Sequence, residues 1–387
     1  MWTLVDRPQQ LSSLVEQLPR VAIYCMDTEF DSRSDGTTLC LLQLRLDEQT
    51  YLIDSLALPD LSPLATSLGH PEATWVLHGA HQDIPLLLRA LRISNAPHIF
   101  DTQIVWGLTG PEHATSFGYL TFRLLGTRTS KRHQTDDWTR RPLSKSQLDY
   151  AALDVNGLPR MYEILLNRVT ELGRERAVLD ACFELLCGPA DTSESVSIET
   201  FRNAWQLEPQ GQIALRELIT WYNALSNTER GRTFEAKLLW SLANRLPQSM
   251  EALRQVRGMP RLPPQHQASI LSILKTAVND RQQPTNLLEP PPYATFERLQ
   301  LDAWLEYVRT MACAKAKVSK ELVLAGRRLR ELKEAIAKEG LDALNAQSLP
   351  KILGAWQYAL IGDALIWATQ QVAMPDLKLC NGGNAQM

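Results

Sequence analysis

The stretch VAIYCMDTEF, residues 21–30, decides the fold of this chain. Its first six residues are apolar without alternation, which is typical of a strand buried on both faces, and acidic residues follow at once. Two further strand-like segments, residues 39–46 (LCLLQLRL) and 50–54 (TYLID), come soon enough after it for antiparallel hairpins. The polar segment 31–38, which contains one glycine, is predicted to be a turn.

Working outward, the rest of the first half alternates between strands and helices. Residues 75–77 and 98–101 are short strand candidates, and they bracket a helix predicted at about residues 81–91. A later helix is predicted from about Ser144, a suitable N-cap, through Val155. This order predicts an α/β fold with a mixed sheet and helices on its faces.

The second half reads as all-α, because apolar residues recur there at spacings of three and four. Two segments of linker composition interrupt it, one near GPADTSESVS (188–197) and one that contains three consecutive prolines (290–292). The predicted division is an α/β domain (1–180), a linker (181–205), a helical domain (206–280), a Pro-rich linker (281–294), a second helical domain (295–375) and a tail (376–387).

Composition limits the class of protein. Of the 387 residues, 44% are hydrophobic and 21% charged, which excludes a disordered or collagen-like chain. No apolar run reaches the length of a membrane span, and the N-terminus lacks a secretory pattern, so we expect a cytoplasmic protein without membrane contact. The six cysteines show no CxxC pairing, which argues against a disulfide framework or a zinc site. The net charge of −3 argues against binding nucleic acid by bulk attraction.

Five residues stand out as a chemical constellation. Asp27 and Glu29 lie two apart at the end of the predicted buried strand and therefore point to the same side, where two acids are costly to desolvate without a cation. Asp83 opens a predicted helix, and Tyr150 and Asp154 share one face of a later helix at i and i+4. Each has an ordinary explanation when taken alone: solvated turn acids, a first-turn helix acid, or a surface tyrosine and acid.

Together, these residues resemble the three exonuclease motifs of the DEDD superfamily of 3′→5′ exonucleases. The surrounding text is similar to the ribonuclease D family: MDTEF (26–30) before LCLLQL (39–44), VLHGAHQDI (76–84), and HQTDDWTRRPLSKSQLDYAALDV (133–155). The likeness covers about residues 1–180. Tyr150 stands where many relatives have histidine, which indicates the tyrosine subgroup. The resemblance implies a ribonuclease H-like sheet.

The resemblance also implies roles for these residues. Oxygen ligands without cysteine or histidine select Mg²⁺ or Mn²⁺, and two such divalent cations serve phosphodiester hydrolysis. Asp27 is expected to bridge both ions, Glu29 and Asp154 to complete the site of the ion that activates the water, and Asp83 to hold the second ion. Tyr150 is expected to orient the attacking water through its hydroxyl.

A basic stretch between Arg123 and Lys145 is the predicted substrate contact. It holds seven Lys or Arg against Asp136 and Asp137. Lys131 and Arg132 are the predicted contacts to the RNA backbone, and the Trp138 indole is available to stack on a base. A solvated loop around a buried structural tryptophan is the alternative.

By resemblance, residues 210–277 and 295–373 look like two helical HRDC domains. The predicted function is a metal-dependent 3′→5′ exoribonuclease that releases nucleoside monophosphates from single-stranded 3′ ends of structured RNA, with tRNA precursors as the implied substrate. No obligate protein partner is evident. A DNA 3′→5′ exonuclease and a catalytically silent RNA-binding scaffold remain alternatives, because motif residues do not read the 2′-hydroxyl.

Overall fold

The structure of the protein is a computed structural model. It describes residues 2–19, 21–33, 36–58, 60–128, 133, 136–187, 196–201, 203–225, 234–279, 287–290 and 295–373. No helix in these ranges is long and apolar enough to cross a membrane.

A six-stranded mixed sheet forms the centre of the first half. Its strands are β1 (Trp2–Val5), β2 (Ile23–Arg33), β3 (Gly36–Leu46), β4 (Gln49–Asp54), β5 (Thr74–Leu77) and β6 (His98–Asp101). They lie in the order β1-β4-β3-β2-β5-β6. The β3–β4 pair is antiparallel, and the β1–β4, β2–β5 and β5–β6 pairs are parallel. The predicted mixed sheet with flanking helices is confirmed.

Two details of the sheet differ from the prediction. The strand that carries Asp27 continues to Arg33, and the next begins at Gly36, so the predicted turn at residues 31–38 is largely strand. Pairing along a long hairpin overrides the polar composition of these residues. Strand β1 was not predicted, because a four-residue segment has too few positions to show a period.

Helices cover the sheet. They are α1 (Pro8–Gln17), α2 (Ala65–Leu68), α3 (Asp83–Leu91), α4 (Thr102–Leu108), α5 (Phe117–Leu125), α6 (Lys145–Asn156), α7 (Leu158–Glu171) and α8 (Glu175–Leu186). Helix α6 begins where the sequence predicted, because the Ser144 side chain accepts a hydrogen bond from the Gln147 amide and the Gln147 side chain caps Ser144 in return.

The helical second half separates into two groups of helices with different cores. The first contains α9 (Pro209–Ala224), α10 (Lys237–Arg245), α11 (Met250–Arg254) and α12 (Pro264–Asn279), and it buries its own apolar cluster around Leu215, Leu239 and Ile270. The second contains α13 (Phe296–Ala316), α14 (Lys320–Val323), α15 (Gly326–Glu339), α16 (Leu349–Leu353) and α17 (Ala355–Gln371). Short 3₁₀ segments occur at Ser62–Leu64, Ile198–Thr200, Ala204–Gln206 and Gly340–Ala343.

The C-terminal helices share one hydrophobic core with the sheet. The Ser319 amide donates to the Gly107 carbonyl over 2.7 Å, and the Trp356 indole donates to Glu184 over 2.9 Å. By contacts, Met1–Asp31, Leu39–Gly188 and Ala294–Met387 form one compact unit, and Ser32–Thr38 with Pro189–Tyr293 forms the other. The division into three domains stays a prediction.

An ion pair in the first unit fastens the segment before α6 to the sheet. The Arg141 guanidinium binds both carboxylate oxygens of Asp54, over 2.6 and 2.7 Å. It also donates to the backbone carbonyls of Cys40, Trp138 and Arg140. A bidentate pair of this kind fixes direction as well as distance. Arg141 therefore sets the position from which α6 begins.

We expect Arg141→Ala to destabilise the protein by about 3 to 5 kcal/mol, because it leaves the Asp54 carboxylate buried without its cation. The Asp54 side chain is only 6% exposed. The measurement is the free energy of unfolding in urea. Arg140→Ala is the matched control, since that side chain is 84% exposed beside Asp137 and its loss should cost less than about 0.5 kcal/mol. Equal losses in the two variants would contradict the role assigned to Arg141.

Candidate active site

Asp27 and Glu29 lie within strand β2 rather than at its end. Side chains two apart on a strand share a face, and both carboxylates here raise the pKa of Tyr150 on helix α6. The pair is partly buried between β2 and that helix. The strand thus carries both acids to the face that α6 covers.

Asp83 reaches the same region from the start of α3. It is 8% exposed, and one of its carboxylate oxygens accepts a hydrogen bond from the Thr28 hydroxyl, the residue between the two strand acids. This contact joins the β2 acids to a residue 55 positions away in the chain. The prediction that Asp83 stabilises the first turn of its helix and the prediction that it belongs to the site are compatible.

Asp101 holds the loop that leads into Asp83, and the sequence reasoning missed it. This fully buried carboxylate ends β6, caps α4 through the Gln103 and Ile104 amides, and accepts a 2.8 Å hydrogen bond from the Ala80 amide. In the same loop, the two His78 ring nitrogens lie 2.9 Å from the Thr102 hydroxyl and the Thr115 carbonyl. An acid between a strand and a helix is the ordinary N-cap pattern, so a signal was present.

Tyr150 and Asp154 face the strand acids from one side of α6. The Tyr150 hydroxyl donates a hydrogen bond to the Asp154 carboxylate. The Tyr150 ring also packs near the rings of His133 and Trp138, with centroids 5.6 and 6.3 Å away. The i and i+4 spacing therefore produces the contact that was expected of it.

The electrostatics of the four carboxyls show how closely they are gathered. Burial raises the pKa of Asp27 well above its usual range, and the other three carboxylates raise it further. Burial, then the charges of Asp154 and Asp83, raise the pKa of Glu29 to about 9. Burial raises the pKa of Asp154 to about 7 despite the hydrogen bond from Tyr150, and it also raises that of Asp83. Without a cation, Glu29 therefore retains its proton at neutral pH, and Asp154 is about half protonated there.

The donor set fits a hard divalent cation, because it offers carboxylate oxygens. As the side chains stand, no three His, Cys, Asp or Glu residues in the described ranges are arranged to hold a metal ion. Carboxylates close enough to raise one another's pKa repel one another when ionised, and a cation compensates that repulsion. The fold therefore brings together a set of acids whose charges a divalent cation would balance.

Burial raises the pKa of the Tyr150 phenol above its ordinary value, and the charge of Asp154 adds to the shift. The hydroxyl therefore remains protonated at neutral pH. It can donate a hydrogen bond and position a water molecule, but it is a poor general base.

The structure describes only one of the three predicted substrate contacts, Trp138. Lys131 and Arg132 lie outside the described residues. Trp138 is only 3% exposed and packs against Leu148 and Ala151 of α6, so its ring is not open to the base stacking that the sequence predicted. It supports Tyr150 instead. Arg141, also in the basic stretch, is engaged with Asp54.

Two other residues of the basic stretch are exposed. The guanidinium of Arg123 lies over the Tyr119 ring and that of Arg128 over the Phe122 ring, each 5.9 Å from the centroid. Tyr119 is 38% and Phe122 48% exposed. This surface of α5 and the residues after it combines positive charge with accessible aromatic rings.

Comparison with known proteins identifies the family. Residues 2–170 match the family model of a 3′-5′ exonuclease. The chain is 30% identical to the ribonuclease D of Pseudomonas paraeruginosa over 360 residues, which cover 89% of this chain and 91% of that one. It is 31% identical to the ribonuclease D of Gluconacetobacter diazotrophicus over 273 residues, or 67% of each chain.

The fold is also that of a solved relative. The crystal structure of Escherichia coli RNase D, described as an exoribonuclease involved in structured RNA processing, matches with a TM-score of 0.74 and 26% identity. The match covers 96% of this chain and 99% of that one, including the C-terminal helices. The chain therefore belongs to the ribonuclease D family and is a 3′→5′ exoribonuclease.

Proposed function

We propose that Asp27, Glu29, Asp83, Asp154 and Tyr150 form the catalytic centre, and that it works with two divalent cations, Mg²⁺ or Mn²⁺. The observation that carries this proposal is that the charges of neighbouring carboxylates raise the pKa values of Asp27 and Glu29. Bringing acids together without a compensating charge lowers the stability of a fold. A bound divalent cation would remove that cost.

In the proposed reaction, water attacks the terminal phosphodiester of RNA, and the bond from phosphorus to the 3′ oxygen breaks. The products are a nucleoside monophosphate and a chain shortened by one residue. Asp27 would bind both cations, Glu29 and Asp154 would bind the one that activates the water, and Asp83, whose carboxylate accepts a hydrogen bond from Thr28, would bind the other. When bound, the cations acidify the water and stabilise charge on the leaving oxygen.

Tyr150 has a separate role in this scheme. Its protonated hydroxyl orients the attacking water, while its hydrogen bond keeps the Asp154 carboxylate in place and favours the ionised form. The rings of Trp138 and His133 pack near the phenol ring and restrict its position.

For the substrate, we propose single-stranded 3′ ends of structured RNA, with tRNA precursors as the class. Support comes from the description of the E. coli relative as an exoribonuclease involved in structured RNA processing. Lys131 and Arg132 are proposed to contact the RNA backbone, and the helical segments are proposed to act as HRDC domains that accommodate the folded part of the RNA. We place the reaction in the cytoplasm.

The direct test uses RNA and DNA oligonucleotides of one sequence, labelled at the 5′ or the 3′ end, with Mg²⁺, Mn²⁺ or chelator. We expect metal-dependent release of mononucleotides from the 3′ end of RNA, and trimming of a single-stranded tail that stops near a duplex. Equal degradation of DNA would favour the alternative nuclease, and no metal-dependent degradation would favour a silent scaffold.

Asp27→Asn should abolish the metal-dependent activity, with a loss of at least about 10³-fold, because the residue shared by both cations loses its charge. Turnover of labelled RNA measures this loss. Asp149→Asn is the control, since Asp149 is exposed on the same helix as Tyr150 and accepts a 2.8 Å hydrogen bond from the Trp2 indole, a contact that an asparagine oxygen can keep. Comparable losses in both variants would count against the proposed centre.

Tyr150→Phe should lower kcat by about 10- to 100-fold, the value of one hydrogen bond to a charged group, and should lower metal affinity much less, because the hydroxyl is not itself a metal ligand. Single-turnover kinetics and a Mn²⁺ titration measure the two quantities. Tyr162→Phe is the control, because Tyr162 lies on the neighbouring helix α7 and its ring packs against Phe100 of β6. If Tyr150→Phe lost metal affinity as fast as activity, the tyrosine would belong to the metal site instead.

Metal binding should release protons and should stabilise the protein more at high pH. The folded-state pKa values of Glu29 and Asp154, about 9 and about 7, lie above the unfolded values near ~4, so these groups stabilise the metal-free protein below pH ~4. That contribution is lost as the pH rises through 7 and 9. The rise in Tm on adding Mg²⁺ should therefore be larger at pH 8.5 than at pH 6.

Thermal melts with and without Mg²⁺, and calorimetry in buffers of different ionisation enthalpy, measure the two effects. Glu29→Gln is the matched variant, and it should flatten the pH dependence of the metal-free Tm. A Mg²⁺-induced rise in Tm that is constant over this range would contradict the proposed protonation of the site.

A further inference from the structure

Gln43 is a fully buried amide that the reaction scheme does not use. Its side chain is 0% exposed, and neither its nitrogen nor its oxygen has a hydrogen-bond partner among the described residues. A buried amide without partners lowers stability, and a leucine or methionine would fill the same space without that cost. A glutamine at this position therefore calls for a functional explanation.

The register of the sheet tells which way Gln43 points. Gln43 is paired with Leu52, and paired residues of an antiparallel ladder project to the same face. Leu52 belongs to the apolar cluster that includes Ala151 and Ala152 of α6, with Tyr150 packed against it. Gln43 thus faces the layer of α6 that carries Tyr150 and Asp154.

Along the other edge of β3 lies β2, the strand with the two acids. Strand β2 ends at Arg33 and β3 begins at Gly36, so the two strands form an antiparallel hairpin. Asp27 is four residues after the start of β2, and Gln43 is three residues before the end of β3. These positions therefore lie at nearly the same level of the hairpin, and both side chains are on the face that α6 covers.

The hydrogen-bonding groups of an amide match the groups around Gln43. An ionised carboxylate only accepts hydrogen bonds, and an indole N–H only donates them. The Trp138 indole nitrogen is buried without a partner among the described residues and lies in the same cluster against α6. A glutamine can accept from the indole with its oxygen and donate to the carboxylate with its nitrogen, which no single hydrophobic or charged side chain can do.

We infer that Gln43 is a positioning residue for Asp27: its amide Nε2 donates to an Asp27 carboxylate oxygen in the metal-bound enzyme and holds that ligand in its coordinating orientation. This inference rests on the proposed metal site. Outer-shell hydrogen bonds of this type orient metal ligands, and their loss weakens metal affinity or activity by about 10- to 100-fold.

The test compares Mn²⁺ binding by the full chain, followed by calorimetric titration without RNA. Gln43→Met keeps the volume and removes the amide, and we expect it to raise the Kd for Mn²⁺ by about 10- to 100-fold. Its urea midpoint should not fall below that of the wild type, because an unpartnered polar group has been replaced by an apolar one. Gln43→Leu serves as the second variant if the methionine does not pack.

Gln357→Met is the matched control. Gln357 is a buried glutamine, 4% exposed, in the C-terminal helix α17, and its side-chain oxygen also has no partner among the described residues. We expect its Mn²⁺ affinity to stay within about twofold of the wild type, the spread of an unaffected site.

Two results would overturn the inference, and they differ in what else they overturn. Wild-type binding of Mn²⁺ with unchanged binding by a folded Gln43→Met or Gln43→Leu protein would remove Gln43 from the site and leave the proposed metal centre intact. Failure of the wild type itself to bind Mn²⁺ would remove the metal centre, and the role of Gln43 with it.

Discussion

Repulsion among four carboxyls that are partly or fully buried is the constraint on which the rest of this structure depends. Asp83 at a helix start and Asp154 on another helix lie close enough to the strand acids that their charges raise the pKa values of Asp27 and Glu29. An arrangement like this is unfavourable in the absence of a cation. The surrounding fold must therefore be rigid enough to hold the acids together before any ion binds.

That rigidity comes from contacts around the acids rather than among them. Asp101 fixes the loop before α3 by accepting hydrogen bonds from the Ala80, Gln103 and Ile104 amides. Arg141 ties the segment before α6 to Asp54 at the end of β4. Both interactions use charged groups with satisfied hydrogen bonds, which are the strong and directional kind. These two interactions fix α3 and α6, the helices that carry Asp83 and Asp154.

The C-terminal helices contribute to the same unit in a way that their sequence does not reveal. They bury apolar residues in one core with the sheet, and Arg174, just before α8, donates a 3.1 Å hydrogen bond to the Lys317 carbonyl beyond α13. A helical segment with an amphipathic pattern only shows that one face is buried. Which surface covers that face depends on contacts between residues far apart in the chain, such as Trp356 and Glu184.

By itself, the sequence determined the alternation of strands and helices and the Ser144 cap of α6, because these depend on spacing within short segments. The four acids and Tyr150 were selected by their resemblance to three exonuclease motifs. Tertiary structure alone decided the extension of β2 through Arg33, the pairing of β1, the burial of Trp138 and the place of Gln43 beside β2. The physical reason is range: periodicity and capping are local properties, whereas burial, register and pKa depend on neighbours that only the folded chain brings together.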